Sequence, residues 1–124
     1  MPPAPEGGAA AAVAFATAQL GDPYRWGASG PDFWDCSGLT SMAWAAGGLA
    51  LPHSSVGQYA ASTPIDASAL QPGDLLFWGS TPGSIYHVAL YVGGDQMIHA
   101  PRTGRPVVRE SMYYWRTPDF SARP

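Results

Sequence analysis

The first half of the chain combines apolar stretches of helical spacing with loops rich in glycine and proline. An alanine-rich stretch from about Gly8 to Leu20 has high helix propensity. Gly21 and Pro23 follow it at positions that typically end a helix. We therefore predict a first helix that ends near Leu20.

The segment DCSGLTSMAWAAGG predicts a second helix. Asp35 is suited to the N-cap position, Cys36 then lies in the first turn, and Gly47 ends the helix. A third and shorter helix is expected in LPHSSVGQYA, with Ser54 or Ser55 as its N-cap. The apolar face predicted for the second helix consists of Leu39, Met42, Ala43 and Ala46.

From Leu70 onward the apolar residues follow the shorter period of β-strands. A strand is predicted over 74–78, and HVALYV and QMIHA are predicted to pair as a hairpin. PVVRESMYYW supplies a further strand. Because the helices come first and the strands afterwards, without alternation, the pattern favours an α+β fold with an antiparallel sheet.

Length, composition and charge narrow the class of protein. The chain has 124 residues, of which 46% are apolar, so we expect one domain with its own core over 8–124. Residues 1–7 are interpreted as a linker remnant. The net charge is −3, lysine is absent and the six arginines are scattered, which excludes nucleic acid as an expected partner. The apolar N-terminal stretch is too short for membrane insertion, and we expect a monomer.

Cys36 is the one cysteine of the chain, so it cannot form an intramolecular disulfide. It is either a small buried apolar residue or a reactive thiol. The first turn of a helix favours a thiolate, and its free N–H groups can stabilise an oxyanion when the thiolate attacks a carbonyl. We therefore expect a thiol that is activated by its position, provided that a base lies nearby.

The candidate bases are His53, His87 and His99. If the hairpin loop spans 93–95, His99 lies opposite Ala89, and His87 shares that face as a diagonal neighbour about 7–8 Å away at Cα. In that arrangement one ring nitrogen of His87 accepts the thiol proton. His99 accepts a hydrogen bond from the other ring nitrogen of His87 and thereby fixes the tautomer of His87.

Two other interpretations of these residues remain open. Both histidines can be half-buried strand residues bonded to backbone. A zinc site has poor support, because the chain has no C-x-x-C or H-x-x-x-H cluster. We therefore expect neither a metal nor any other cofactor.

The chain contains, in this order, the segments PYRWG, DCSGL, LPHSSVGQY, LQPGDLLFW and HVALYVGGDQMIHAP. In order and in rough spacing, these five segments together resemble the NlpC/p-sixty family of bacterial cell-wall cysteine peptidases. The resemblance implies a papain-like core, in which N-terminal helices pack on a small antiparallel β-sheet and the nucleophile lies at a helix start. It also implies hydrolysis of peptidoglycan stem peptides, usually between γ-D-glutamate and a diamino acid such as meso-diaminopimelate.

The resemblance also implies roles for individual residues. Cys36 matches the nucleophile, His87 the base and His99 the polar residue that orients the base. Tyr24 matches a tyrosine whose hydroxyl approaches the thiol and the scissile carbonyl, although a core aromatic is the alternative. Asp35 matches a substrate-recognition residue, although an N-cap without a substrate contact is the alternative, and one residue can fill both roles.

Further residues are expected to line the cleft. Ser37 matches a substrate-recognition residue, and His53 and Ser54 stand where the family often has an arginine or histidine followed by a small polar residue. Arg102 and Arg105 are either contacts for stem-peptide carboxylates or solvated surface arginines.

The expected function is therefore a cysteine endopeptidase that acts on peptidoglycan through a thioester. An N-acetylmuramoyl-L-alanine amidase, an acyltransferase on the same scaffold and a catalytically silent wall-binding module are the alternatives. The site of action is expected to be extracellular or in the cell wall. The domain would be secreted within a longer chain or delivered by a phage as an endolysin.

Overall fold

The computed structural model describes residues 8–124, so the predicted linker at 1–7 lies outside the described residues. Its three α-helices are α1 (Gly8–Ala18), α2 (Cys36–Ala46) and α3 (Ser55–Ala60). Its six strands are β1 (Thr63–Pro64), β2 (Leu75–Trp78), β3 (His87–Gly93), β4 (Gln96–His99), β5 (Val108–Ser111) and β6 (Phe120–Arg123).

All six strands form one antiparallel sheet in the order β1-β6-β2-β3-β4-β5. The helices α1 and α2 pack on each other, and their buried residues join one face of the sheet in the main core. A second cluster of buried residues lies on the other face of the sheet. The strand β2 is buried at every position because it contributes to both clusters. The predicted α+β class with an antiparallel sheet is confirmed.

The helix α1 ends at Ala18, two residues before the predicted end. Gln19 and Leu20 donate backbone hydrogen bonds three residues back, to Ala16 and Thr17, which is the tighter pattern of a terminal turn. Gly21 then adopts a positive φ of 92°, as expected of a glycine after a helix.

The helix α2 begins and ends as predicted, with Asp35 as N-cap and Gly47 as C-cap. Its predicted apolar face is wrong in part, because Met42 and Ala46 are exposed. Trp44 is buried instead, since its indole N–H reaches across to the Gly73 carbonyl oxygen at 2.9 Å. The buried face therefore runs along Leu39, Ala43 and Trp44.

The hairpin of β3 and β4 closes differently from the prediction. Gln96 pairs with Gly93 rather than with the residue before it, and the loop consists of Gly94 and Asp95, both with a φ near +60°. Two positive φ values define the two-residue turn that matches strand twist. A bulge at Val92 compensates for the shorter loop, so the inner pairs keep the predicted register, as in Leu90 opposite Ile98.

The strands β1 and β6 were not predicted. The strand β6 pairs with both β1 and β2, and Arg123 binds the buried Asp74 carboxylate with an Nε–Oδ1 distance of 2.8 Å.

Within residues 8–124, no helix combines the length and the apolar character needed to cross a membrane.

Candidate active site

Cys36 is the first residue of α2, and Asp35 sets that start by accepting a 2.7 Å hydrogen bond from the Gly38 N–H. Gly38 permits the close approach of α2 to the preceding loop, because a Cβ there would collide with the Ala28 carbonyl oxygen. The thiol interacts with the backbone N–H of Val88. Since Val88 follows His87 in β3, the fold brings the helix start to the strand that carries the predicted base.

The Cys36 thiol is not a thiolate by virtue of its position alone. Burial raises its pKa and the Asp35 carboxylate adds to the rise, while the Val88 and Ser37 N–H groups act in the opposite direction. The helix start therefore does not by itself lower the pKa of this thiol, because the effect of burial is larger. Formation of a thiolate requires a base that accepts the proton.

The two imidazoles predicted to lie together are in direct contact. His87 Nε2 and His99 Nδ1 are 2.8 Å apart. His87 also packs against the Trp78 indole, with ring centroids 5.3 Å apart. Because Nε2 of His87 is occupied by His99, Nδ1 is the ring nitrogen available to another partner.

The contact continues beyond the two histidines to Glu110, which the sequence analysis did not place in the site. His99 Nε2 lies 2.6 Å from Glu110 Oε2. Arg105 donates to both carboxylate oxygens of Glu110, at 3.2 and 3.3 Å. The Arg105 guanidinium thus already has a carboxylate partner within the chain. The signal for Glu110 was an acidic residue in a strand next to the one that carries His99.

Burial keeps both imidazoles uncharged. It lowers the pKa of His87 to about 3, with a smaller contribution from His99. It also lowers the pKa of His99, although the hydrogen bond to Glu110 opposes the change. Burial alone would raise the pKa of Glu110, but hydrogen bonds from His99 and Arg105 outweigh it and hold that pKa below its usual range. The carboxylate is therefore the anion at the end of a neutral pair.

A second histidine–carboxylate contact lies at the start of α2. His53 Nε2 is 2.7 Å from Asp35 Oδ1, and Asp35 Oδ2 accepts a 2.8 Å hydrogen bond from the Gly27 N–H. The Asp35 carboxylate therefore connects three segments: the helix start, the loop at Gly27 and the loop at His53. The predicted cleft residues Asp35 and His53 are brought together next to Cys36.

Of the other predicted cleft residues, Tyr24 and Ser37 lie next to Cys36, whereas Ser54 makes its contact within α3. Tyr24 is half-buried, and burial, followed by the nearby Cys36 and Asp35, raises the pKa of its phenol, which therefore remains a hydrogen-bond donor. Ser37 is buried in the first turn of α2. Ser54 is exposed and caps α3 by accepting a hydrogen bond from the Gly57 N–H.

Gln58 holds the loop of His53 against α2. Its side chain is fully buried and donates to the Ser37 and Pro52 carbonyl oxygens, each at 2.9 Å. The side-chain amide oxygen of Gln58, Oε1, accepts a 2.6 Å hydrogen bond from the Thr40 hydroxyl. Gln58 therefore fixes the position of the loop that carries His53 relative to the start of α2.

A cavity of about 290 Å³ lies next to the His87 and His99 imidazoles and is lined in large part by aromatic side chains. His87, His99 and Met97 contribute to its wall, and Arg102 is exposed at it without an ion pair inside the range 8–124. No group of three or more His, Cys, Asp or Glu that could hold a metal ion occurs in the described part of the chain. The aromatic part of the wall is formed by Trp78, Tyr86, Tyr114 and Trp115.

Comparison with known proteins relates this arrangement to one family. The model of the NlpC/P60 family matches residues 21–123. The protein P54 of Enterococcus faecium is 44% identical over 118 residues, which cover 90% of this chain and 22% of that protein. A probable endopeptidase p60 of Listeria grayi is 50% identical over 94 residues, or 76% of this chain and 18% of that protein. The chain thus spans about a fifth of the length of these relatives.

Solved structures agree with the sequence comparison. The NlpC/p60 domain of the peptidoglycan hydrolase SagA superposes with a TM-score of 0.87 at 42% identity, covering 94% of this chain and 99% of that one. The peptidoglycan hydrolase RipB of Mycobacterium tuberculosis gives a TM-score of 0.79 at 32% identity, covering 93% of this chain and 63% of that one. The predicted family, papain-like fold and enzyme class are confirmed. The chain belongs to the NlpC/P60 family, that of the peptidoglycan hydrolases and probable endopeptidases it resembles.

Proposed function

We propose that this domain is a cysteine endopeptidase of the cell wall, which cuts peptidoglycan stem peptides between γ-D-glutamate and a diamino acid such as meso-diaminopimelate. The observations that carry the proposal are the contact of the Cys36 thiol with the backbone N–H of Val88, the residue after His87, and the contact between His87 and His99. The similarity to hydrolases of peptidoglycan supports the substrate class. The domain then acts outside the cell or in its wall.

The proposed reaction begins from a neutral thiol and a neutral imidazole. As Cys36 Sγ attacks the glutamyl carbonyl carbon, its proton passes to Nδ1 of His87, and the carbonyl π electrons move to the oxygen. The raised pKa of the thiol and the lowered pKa of His87 favour proton transfer during attack over a preformed ion pair. Backbone N–H groups at the start of α2 stabilise the oxyanion.

Collapse of this intermediate breaks the C–N bond, and the proton on His87 Nδ1 passes to the leaving amine. The acyl group remains as a thioester on Cys36. Water then attacks the thioester carbonyl and gives a proton to His87. The C–S bond breaks, the acid is released, and the proton on His87 returns to Cys36 Sγ. His99 keeps His87 in the tautomer that each of these transfers requires.

The polar residues around Cys36 are proposed to hold the acyl side of the substrate. A short stem peptide offers little apolar surface, so recognition depends on hydrogen bonds and charge. Asp35 carries the negative charge suited to a free amino terminus of the stem. The proposed contacts are Tyr24, Asp35, Ser37, His53 and Ser54.

The cavity beside His87 is proposed to receive the leaving group. His87 must protonate the amine of the diamino acid, so that half of the substrate leaves on the side of this imidazole. Arg102 borders the cavity, and its guanidinium has no ion pair within residues 8–124, which suits a carboxylate of the diamino acid.

A synthetic L-Ala-γ-D-Glu-diaminopimelate peptide tests the proposal. We expect release of free diaminopimelate, detected by mass spectrometry, and loss of that release in Cys36→Ala with unchanged circular dichroism. Cys36→Ser is the matched control, because it keeps the size of the side chain and removes most of its nucleophilicity.

Purified peptidoglycan distinguishes the alternative enzyme class. Release of intact stem peptides from muramic acid, with no cut at the glutamyl bond, would assign the domain to the amidases. Full turnover in Cys36→Ala would remove Cys36 as the nucleophile.

A further inference from the structure

We propose that Glu110 is a positioning residue that fixes the tautomers of both histidines, so that His87 presents an unprotonated Nδ1 to the thiol. Arg105 holds the Glu110 carboxylate in place for this role. The inference rests on the proposed function, in which His87 is the base for Cys36. It goes beyond a nucleophile, base and orienter, because it assigns the direction of every hydrogen bond behind the base.

Two imidazoles in contact can share a proton in either of two directions. In the first, His87 Nε2–H donates to His99 Nδ1, and His87 Nδ1 is free to accept a proton. In the second, His99 Nδ1–H donates to His87 Nε2, and a neutral His87 then carries its proton on Nδ1. The second arrangement points an N–H at the thiol and cannot deprotonate it. The distance of 2.8 Å between the two nitrogens fits both directions.

Glu110 removes this ambiguity because an ionised carboxylate only accepts hydrogen bonds. Its Oε2 lies 2.6 Å from His99 Nε2, which must therefore carry the proton. A neutral His99 protonated on Nε2 has a free lone pair on Nδ1, so it accepts from His87. The carboxylate thereby sets the productive direction through two rings.

Arg105 ensures that Glu110 stays an acceptor. Its guanidinium donates to Oε1 at 3.2 Å and to Oε2 at 3.3 Å, which holds the carboxylate plane and favours its ionised form. The same contact makes Glu110→Gln informative. A guanidinium cannot accept a hydrogen bond, so it retains the single oxygen of the amide. The amide NH₂ then faces His99 Nε2, donates to it and reverses the direction of the chain.

The direct test is a measurement of the tautomers by ¹⁵N NMR of the imidazole rings in Cys36→Ala protein near pH 7. We expect both histidines to be protonated on Nε2 and unprotonated on Nδ1. In Cys36→Ala with Glu110→Gln we expect the proton of His99 on Nδ1. A His99 already protonated on Nδ1 when Glu110 is present would overturn the inference.

Kinetics supply the second test. We expect Glu110→Gln and Glu110→Ala each to lower kcat by about 10²-fold with little change in KM, since the lost tautomer acts on the chemical step. Formate should restore part of the kcat of Glu110→Ala and none of that of His99→Ala. Full kcat in Glu110→Gln with unchanged tautomers would contradict the proposal.

The two tests separate this inference from the proposed function. The NMR measurement uses protein without the thiol, so a wrong assignment of the scissile bond leaves its result unchanged. Conversely, cleavage at the glutamyl bond by a wild-type protein with the opposite tautomers would keep the proposed function and refute the role of Glu110.

Discussion

Two histidine–carboxylate contacts near Cys36 have almost the same length and very different surroundings. His53 meets Asp35 at 2.7 Å with 34% of the His53 side chain exposed, whereas His99 meets Glu110 at 2.6 Å with 5% of the His99 side chain exposed. Water can replace a partner at the first contact but not at the second. The environment of a pair, rather than its distance, therefore decides how strongly it constrains an imidazole.

The two carboxylates differ in their other partners as well. Asp35 accepts backbone hydrogen bonds from Gly27 and Gly38, so it first stabilises the helix start. Glu110 is bound by the side chains of His99 and Arg105. Replacing Asp35 should therefore affect stability as well as substrate binding, whereas replacing Glu110 should act mainly on the chemical step.

Among the residues of these two contacts, the largest expected effect comes from His99. We expect His99→Ala to lower kcat by about 10²–10⁴-fold, because His87 loses the partner that fixes its tautomer. Turnover of the synthetic peptide measures the change, and a thermal melt verifies that the protein is folded. Full activity in His99→Ala would show that another group orients His87.

The pH dependence of kcat/KM should reflect the lowered pKa of the buried His87. Burial lowers the pKa of His87 to about 3, so the base stays neutral well below 6.5 and kcat/KM falls only at lower pH, as the imidazole gains a proton. At pH 5.5 we expect about tenfold more of the neutral base than an unperturbed histidine would provide. An acid limb of kcat/KM at or above pH 6.5 would contradict this.

The same shift has a consequence for stability. The unfolded chain binds a proton at His87 near pH 6.5, but the folded protein does so only near pH 3. The free energy of unfolding therefore decreases as pH falls through this window, by up to about 1.4 kcal/mol per pH unit for this group. Denaturant titrations at pH 7 and pH 5 measure the decrease. In His87→Gln the difference in the free energy of unfolding between the two pH values should be smaller, because the titrating group is absent.

The smallest expected effect concerns the exposed contact. We expect His53→Ala to lower kcat/KM by at most about tenfold, mainly through KM, because a half-exposed hydrogen bond is worth about 0.5–1.5 kcal/mol. Asp35→Ala should in addition lower the free energy of unfolding by about 1–2 kcal/mol through the lost cap. If His53→Ala lost as much kcat as His99→Ala, the contrast between the two contacts would not hold.

Local signals in the sequence predicted the elements that carry the site. The Asp35 cap located the start of α2, and the glycines near 93 located the hairpin. The inner register of that hairpin was correct although its loop was not, because a bulge at Val92 compensates for the shorter turn. The meeting of His87 and His99 followed from that register and from the alternation of side chains along strands.

Contacts between segments joined by longer loops could not be predicted. Glu110 lies diagonally from His99 on β5, but the connection over 100–107 leaves the register of β4 and β5 undetermined by turn chemistry. The raised pKa of the Cys36 thiol depends on burial, which a helix start does not reveal. The strand β6 is short and follows Pro118 without an apolar run, so it gave no strand signal.

The position of β6 constrains when the chain can fold during synthesis. This last strand lies between β1 and β2, and β1 pairs with no other strand in the described sheet. A nascent chain that has not yet released residues 120–123 from the ribosome therefore leaves β1 unpaired and one edge of β2 open. Folding of the sheet must wait for a contact of long sequence separation, which is the kind of step that slows folding and increases the need for chaperones.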